Sequence, residues 1–301
     1  MSARYEFIDV EKATKDDYGM TRYTIVGMCE WMEVSTSGFY EWLDRPMSAT
    51  AARREHLKLI IVKAFEDSDE TYGYRRLHAQ LARWGQACSL ELVRALMREL
   101  GLVACQPRPW RVNLTEAGVC GPIPDLLERD FTADAPGEKM VGDITYIPTW
   151  EGWLFLATVL DCHTKGVIGW AMDDNYQTPL ISAAIDMAAR NHTISPKAVF
   201  HSDRGSNYTS GEFARTLGRH DIRQSVGRTG ICYDNAMAES FFAALKSELV
   251  HRTVYPTRKH ARKDIAHYIE MRYNTNRLHS GLGYKTPQEV HDEYFNGHLA
   301  A

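Results

Sequence analysis

Four residues of the 301-residue chain have the types and spacing to do phosphate chemistry: Asp143, Asp203, Glu239 and Lys246. Asp143 interrupts the apolar alternation of "KMVGDITYIP", Asp203 ends the short apolar run "AVFHSD", and Glu239 sits inside "DNAMAESFFAALKSEL" among Met237, Ala238, Phe241 and Phe242. Singly, each has an ordinary structural explanation: an exposed strand residue, a turn former, the wet side of an amphipathic helix. Drawn together, they would repel strongly in a poorly solvated site and persist only beside a cation. Hard oxygen donors, with no His or Cys at metal spacing, select Mg²⁺ or Mn²⁺ over zinc. Two such ions ~3.5–4 Å apart activate a water or 3′-hydroxyl and stabilise the leaving oxygen of an in-line attack on phosphate. The chemistry would be phosphodiester cleavage and transesterification.

Such convergence needs elements that bring distant residues to one place. From Lys139 onward, "KMVGDITYIP" (139–148), "GWLFLATVLD" (152–161) and "KGVIGWAMDD" (165–174) read as an antiparallel meander. Helix (179–192), strand (198–203), helix (210–221), strand (223–226) and the helix carrying Glu239 follow. This order predicts an α/β fold, a ribonuclease-H-like mixed five-stranded sheet with flanking helices, in which the first and fourth strands are central neighbours. Asp143 and Asp203 then come from adjacent strands, and a helix after the fifth strand packs beside their ends. His201 alternates with Asp203 and reads as a residue that supports the ligands from behind or packs, rather than as a ligand itself.

The region before the sheet is all-α. Two short helical patterns in residues 20–45 flank "VSTSG", where Ser35 or Thr36 can cap the second. Helices over 52–67, 73–85 and 89–102 follow, the last with Ser89 as N-cap, Gly101 as stop and Leu90, Val93, Met97 and Leu100 on one face. Arg75, Arg76, Arg83, Arg94 and Arg98 fall outside the apolar stripe, as in a helix-turn-helix with a basic surface, although arginines on a wet helix face are usually just solvated. The predicted organisation is a helix-turn-helix-like region (1–50), a helical DNA-binding domain (51–105), a Pro- and Gly-rich linker (106–138), the catalytic core (139–250) and a helical extension (251–301).

The net charge of −4 argues against nucleic acid being coated over the whole surface, but the distribution is uneven. Residues 51–111 carry eleven Lys and Arg against seven acids, and 246–285 carry nine against three. A localised polyanion-binding face is therefore expected. Six scattered cysteines without a C-x-x-C pair read as reduced thiols. No stretch has the ~18 uncharged apolar residues of a membrane span and the start lacks a signal-peptide pattern, so a cytoplasmic protein is expected.

The separations sharpen the reading: 203 − 143 = 60 and 239 − 203 = 36, so thirty-five residues lie between the second Asp and the Glu. With a basic residue seven further on, this resembles the DD(35)E core of retroviral integrases and bacterial insertion-sequence transposases. "GDITYIPT", "HSDRGSNYTS", "DNAMAESFFAALKSEL" and "YNTNRLHSGLGYKTPQEV" are similar to the second-reading-frame protein (OrfB) of the insertion-sequence three family, and "TYGYRRLHAQL" and "ALMRELGL" extend the resemblance over essentially the whole chain. The resemblance implies that Asp143, Asp203 and Glu239 are the catalytic and metal-holding triad for two Mg²⁺ (or Mn²⁺). It implies a transposase acting on transposon-end and target DNA as a dimer or higher homo-oligomer, in the bacterial cytoplasm at the nucleoid. Lys246 lies about two helical turns, about 10.5 Å, from Glu239 on the same side, where it can hold phosphate. Arg204 and Arg228, the latter in the glycine-containing loop 227–235, join Arg75 and Arg76 as DNA-binding candidates; Asn207, Tyr208 and Asn235 belong to the same motifs.

A DNA-binding regulator would leave the spaced acids without a task, and a ribonuclease would not call for helical blocks ahead of the core. An inactive remnant is disfavoured by the intact triad, and the paired His and Cys of retroviral integrases do not appear. In the family a first-frame protein (OrfA), or an OrfAB fusion, supplies a leucine zipper that this chain lacks. The segment 267–279 has aromatics and bases suited to DNA, and equally suited to a helix packed on the core.

Overall fold

The computed structural model describes residues 2–105, 123–227 and 235–299. The chain divides into two compact units, Met1–Ile60 and Ile61–Ala301. In the first, α1 (Ser2–Glu11), α2 (Ile25–Trp31) and α3 (Thr36–Leu43) gather around Ile8, Met28, Cys29 and Phe39. Thr24 caps α2 and Ser35 caps α3, each side-chain oxygen accepting a backbone N–H three residues on. Helix α1 was not expected from its sequence: it has one fully buried residue, Ile8, too little for a periodic signal.

Helix α4 (Ala49–Asp67) precedes the hairpin of α5 (Tyr74–Arg83) and α6 (Leu90–Glu99). Ser89 accepts the Leu92 N–H at 3.2 Å to start α6, and Gly101, at φ +66°, lets the chain turn away after it. The buried stripe of α6 is Val93, Leu96 and Met97, with the expected Leu90 and Leu100 half-buried at its borders.

The sheet consists of β1 (Lys139–Thr149), β2 (Gly152–Asp161), β3 (Val167–Asp173), β4 (Val199–Ser202) and β5 (Arg223–Val226) in the order β3-β2-β1-β4-β5. The β1–β2–β3 meander is antiparallel, and β4 and β5 are parallel to β1. Alternation along β1 sends Met140 to one side, where α7 (Thr178–Asn191) and α8 (Gly211–Arg219) pack through Leu180, Ile185, Phe213 and Leu217. It sends Val141 and Ile147 to the other, against Phe241, Phe242 and Leu245 of α9 (Ala236–Glu248). Helix α10 (Arg258–His267) and the π-helical turn 268–273 complete that second core with Ile265, Tyr268, Ile269 and Tyr273; α11 (Pro287–Leu299) ends the described chain. Of 267–279, then, Tyr268 and Ile269 pack on the core, and Met271 stands 54% exposed.

Candidate active site

The pairing of β1 with β4 covers only Lys139–Val141, with Val141 opposite His201. The register offset is 201 − 141 = 60, the separation of Asp143 from Asp203, so the two acids stand at one level just past the last pair. Beyond that level β1 continues to Thr149 with β2 alone on its flank, leaving a crevice at the carboxyl end of β4, where open α/β sheets place their ligands. Gly142 leaves room for the Phe200 ring of β4 to lie across β1: a Cβ there would lie 2.3 Å from that ring.

Helix α9 packs on the face that Val141 shares with Asp143, so Glu239 in its first turn and Lys246 in its last belong to the same side of the sheet. Asn235 fixes the start of that helix. It is 8% exposed, and its Nδ2 donates to the Gly142 carbonyl at 3.2 Å, directly beside Asp143. Its Oδ1 is buried and, among the described residues, has no hydrogen-bond partner. At the other end, the buried Glu248 carboxylate accepts Nε and Nη2 of Arg277 at 3.0 and 2.6 Å and the Tyr268 hydroxyl at 2.8 Å.

The electrostatics agree with a cluster. The Asp143 carboxyl is pushed up to about 7, first by burial and then by the charge of Asp203, with a smaller push from Glu239; the Ile144 N–H and Lys246 work against the rise. Burial also raises Glu239 and lowers Lys246, and Asp143 partly restores the lysine. Tyr208 is raised well above its ordinary value by burial and by both Asp143 and Asp203. Among the described residues none of the three acids has an ion pair; the Asp203 carboxylate accepts the Gly205 N–H at 3.0 Å, and its carbonyl accepts the Ser202 hydroxyl at 3.0 Å. Carboxylates that repel one another, form no ion pair among the described residues and open to a crevice fit a hard divalent cation. They are not closed around one: among the described residues no three His, Cys, Asp or Glu side chains are near enough together to hold a metal ion.

The remaining candidates take different places. His201 is buried, with its Nδ1 2.8 Å from the Ser225 hydroxyl and 3.9 Å from the Asp125 carboxylate. Arg204 donates to the Gly227 carbonyl at 2.6 Å, and Asn207 to the Tyr176 carbonyl at 2.7 Å. Arg228 lies outside the described residues. Arg75 is exposed beside the Tyr74 ring, as a surface arginine should be. Arg76 departs from the expected open basic surface: its Nε donates to the Leu278 carbonyl at 3.0 Å and its Nη1 lies 3.9 Å from Glu248. Arg83 likewise pairs with Glu289. Both arginines tie the α5–α6 hairpin to the C-terminal segments, through counter-charges no local spacing could reveal.

A five-stranded mixed sheet with paired acids at its central strands, behind a helical hairpin, defines an integrase core on a ribonuclease-H-like fold. Two models described as "Integrase core domain" match residues 133–232 and 220–287, and an "HTH-like domain" matches 52–110. Transposase InsF for insertion sequence IS3A of Escherichia coli is 35% identical over 96% of this chain and 99% of its own length. The IS600 31 kDa protein of Shigella sonnei is 35% identical over 89% of this chain and 98% of its own. The magnesium-bound catalytic core domain of HTLV-2 integrase is 16% identical, covering 52% of this chain and 98% of that one, with a TM-score of 0.41. The chain belongs to the IS3 family of insertion-sequence transposases.

Proposed function

We propose that this transposase cleaves DNA at insertion-sequence ends and transfers the freed 3′-hydroxyl to a second phosphodiester, with Asp143, Asp203 and Glu239 as its catalytic, metal-holding residues. The observation that carries this reading is the match between the 60-residue spacing of the two aspartates and the 60-residue register of β1 on β4, with the Glu239 helix on the same face. Two Mg²⁺ or Mn²⁺ ions, when bound, would supply the activation of the attacking oxygen and the stabilisation of the leaving one. The chain's own contribution is positional. Asn235 and Glu248 hold the two ends of α9, and Lys246 offers a cation to the DNA backbone beside the acids. Arg204 at the crevice and Arg75 on the hairpin add phosphate contacts, while Arg76 acts by fastening the hairpin. Holding two DNA ends calls for a dimer or larger assembly, and a first-frame protein is a further partner. The work is done on chromosomal DNA in the cytoplasm; among the described residues no helix is long and apolar enough to cross a membrane.

The test is strand transfer on DNA carrying the element's terminal repeats, run with Mg²⁺ and with EDTA, with and without the first-frame protein. Joined product that appears only with the metal is expected. Joining in EDTA, or DNA binding with no joining under any of these conditions, would overturn the reading, the latter in favour of a regulator or an inactive remnant.

A further inference from the structure

The β1–β2 hairpin carries three large rings that the fold does not bury, one of them Trp150 in the turn, 77% exposed. Tyr146 is 49% exposed and Trp153 is 50% exposed. Tyr146 pairs with Phe155 across the strands, so Trp153, two residues before Phe155, is its diagonal neighbour on the same face. The rings meet edge to face, centroids 4.9 Å apart at 78°. One exposed aromatic is unremarkable. A fixed pair with a cation on it is a different surface: Lys246 holds its Nζ 5.0 Å from the Tyr146 ring centroid. That lysine's charge also reaches Asp143; Tyr146 lies three residues further along β1 on the alternate face, so Lys246 links the rings to the carboxylate side. The hairpin is held in place from behind, since Arg258 donates from Nε to the Trp153 carbonyl at 3.0 Å and from its backbone N–H to Glu151 at 2.8 Å.

One ring face, braced edge to face by its neighbour, and an ammonium group beside a phosphate-cutting site match the chemistry of one nucleotide, a flat base with an anion attached. Bases within a duplex are already stacked on both faces, so such a platform can take only a base that has left the stack. We propose that Tyr146 and Trp153, with Lys246 beside them, form a stacking platform for an unpaired nucleobase of the DNA strand that enters the carboxylate site. This rests on the transposase reading above and adds to it a preference for frayed or overhanging ends. Lys246 takes the adjoining phosphate, and the preorganised rings take the base without first having to be ordered.

The probe is a fluorescent duplex with a five-thymidine single-stranded overhang, compared by anisotropy with the same duplex bearing a five-nucleotide abasic overhang, using the full chain. Stacking on an aromatic platform predicts about tenfold tighter binding to the base-bearing overhang. The double variant Tyr146→Ala with Trp153→Ala should bind both probes equally, the double Phe variant should keep the preference, and Lys246→Ala should weaken both probes alike. Independently of any variant, 5-iodouracil in the overhang should photocrosslink to Tyr146 or Trp153. No preference in the unmodified chain, a preference that survives the folded double Ala variant, or crosslinks confined to other residues would each overturn the proposal. Its failure is separable from that of the transposase reading: strand transfer without base preference removes the platform alone, and base preference without strand transfer removes the reaction alone.

Discussion

Replacing Arg277 by Met removes one partner of a buried ion pair while keeping most of the aliphatic bulk. Arg277 is 9% exposed and Glu248 is 8% exposed, and three nitrogen-to-oxygen contacts of 2.6–3.0 Å join them. Breaking such a pair from one side typically costs ~3–5 kcal/mol, because the remaining charge stays buried. Here Arg76 still faces Glu248 from 3.9 Å and the Tyr268 hydroxyl still donates to it, so the lower end, ~3 kcal/mol, is expected. For a unit of this size that corresponds to a fall of roughly 6–12 °C in Tm. The assay is thermal unfolding at pH 7, followed by circular dichroism, with Glu248→Met and the double Met variant completing the cycle. The double variant should be more stable than Arg277→Met, since it leaves no unpaired carboxylate. A loss below ~1 kcal/mol in Arg277→Met, or a double variant less stable than Arg277→Met alone, would refute the account of this clamp.

The remaining predictions concern the site and the close approach beneath it. The Asp143 carboxyl, ordinarily near 3.8 and raised to about 7, gives the fold a contribution that is full below the ordinary value and lost as pH rises through about 7. Asp143→Asn should therefore lose part of the decline in Tm between those pH values. Because a cation competes with the proton for this carboxylate, Mg²⁺ should raise Tm more at pH 8 than at pH 5.5 in the unmodified chain; an equal Mg²⁺ shift in Asp143→Asn would count against the assignment. Asn235→Ala removes the amide that ties α9 to Gly142 and should reduce strand transfer about tenfold with a stability loss of ~1–2 kcal/mol. Lowered Tm with unchanged strand transfer would make Asn235 purely structural. Gly142→Ala, whose Cβ meets Phe200 at 2.3 Å, should destabilise the core by about 1–3 kcal/mol, read from urea unfolding. A neutral result would show that the Phe200 ring has room to move aside.

The sheet was legible because its signals are local. The strands at 152–161 and 223–226 have the limits read from alternation and turn residues, and the central pairing of the first and fourth strands follows from element order. The significance of the 60-residue spacing emerged fully only with the register of β1 on β4, since no sequence pattern reports which residues face each other across parallel strands. What was missed depends on distant partners. Arg76 and Arg83 look alike on a helix projection, yet one meets Glu248 and the other Glu289. The Glu248–Arg277 clamp joins residues 29 apart around the π-helical turn, and each reads in sequence as an ordinary surface charge. Tyr146 and Trp153 sit at strand positions where a buried aromatic would look the same, and only their exposure marks them as available.

The central claim is that three carboxylates on one end of the sheet perform metal-dependent strand transfer. The most direct measurement is strand transfer and DNA binding by Asp203→Asn side by side with the unmodified chain, in Mg²⁺, on the element's own ends. The account predicts loss of cleavage and joining by at least about a thousandfold, a few kcal/mol of lost transition-state stabilisation, with DNA affinity largely kept. Strand transfer at the unmodified rate in Asp203→Asn would contradict it.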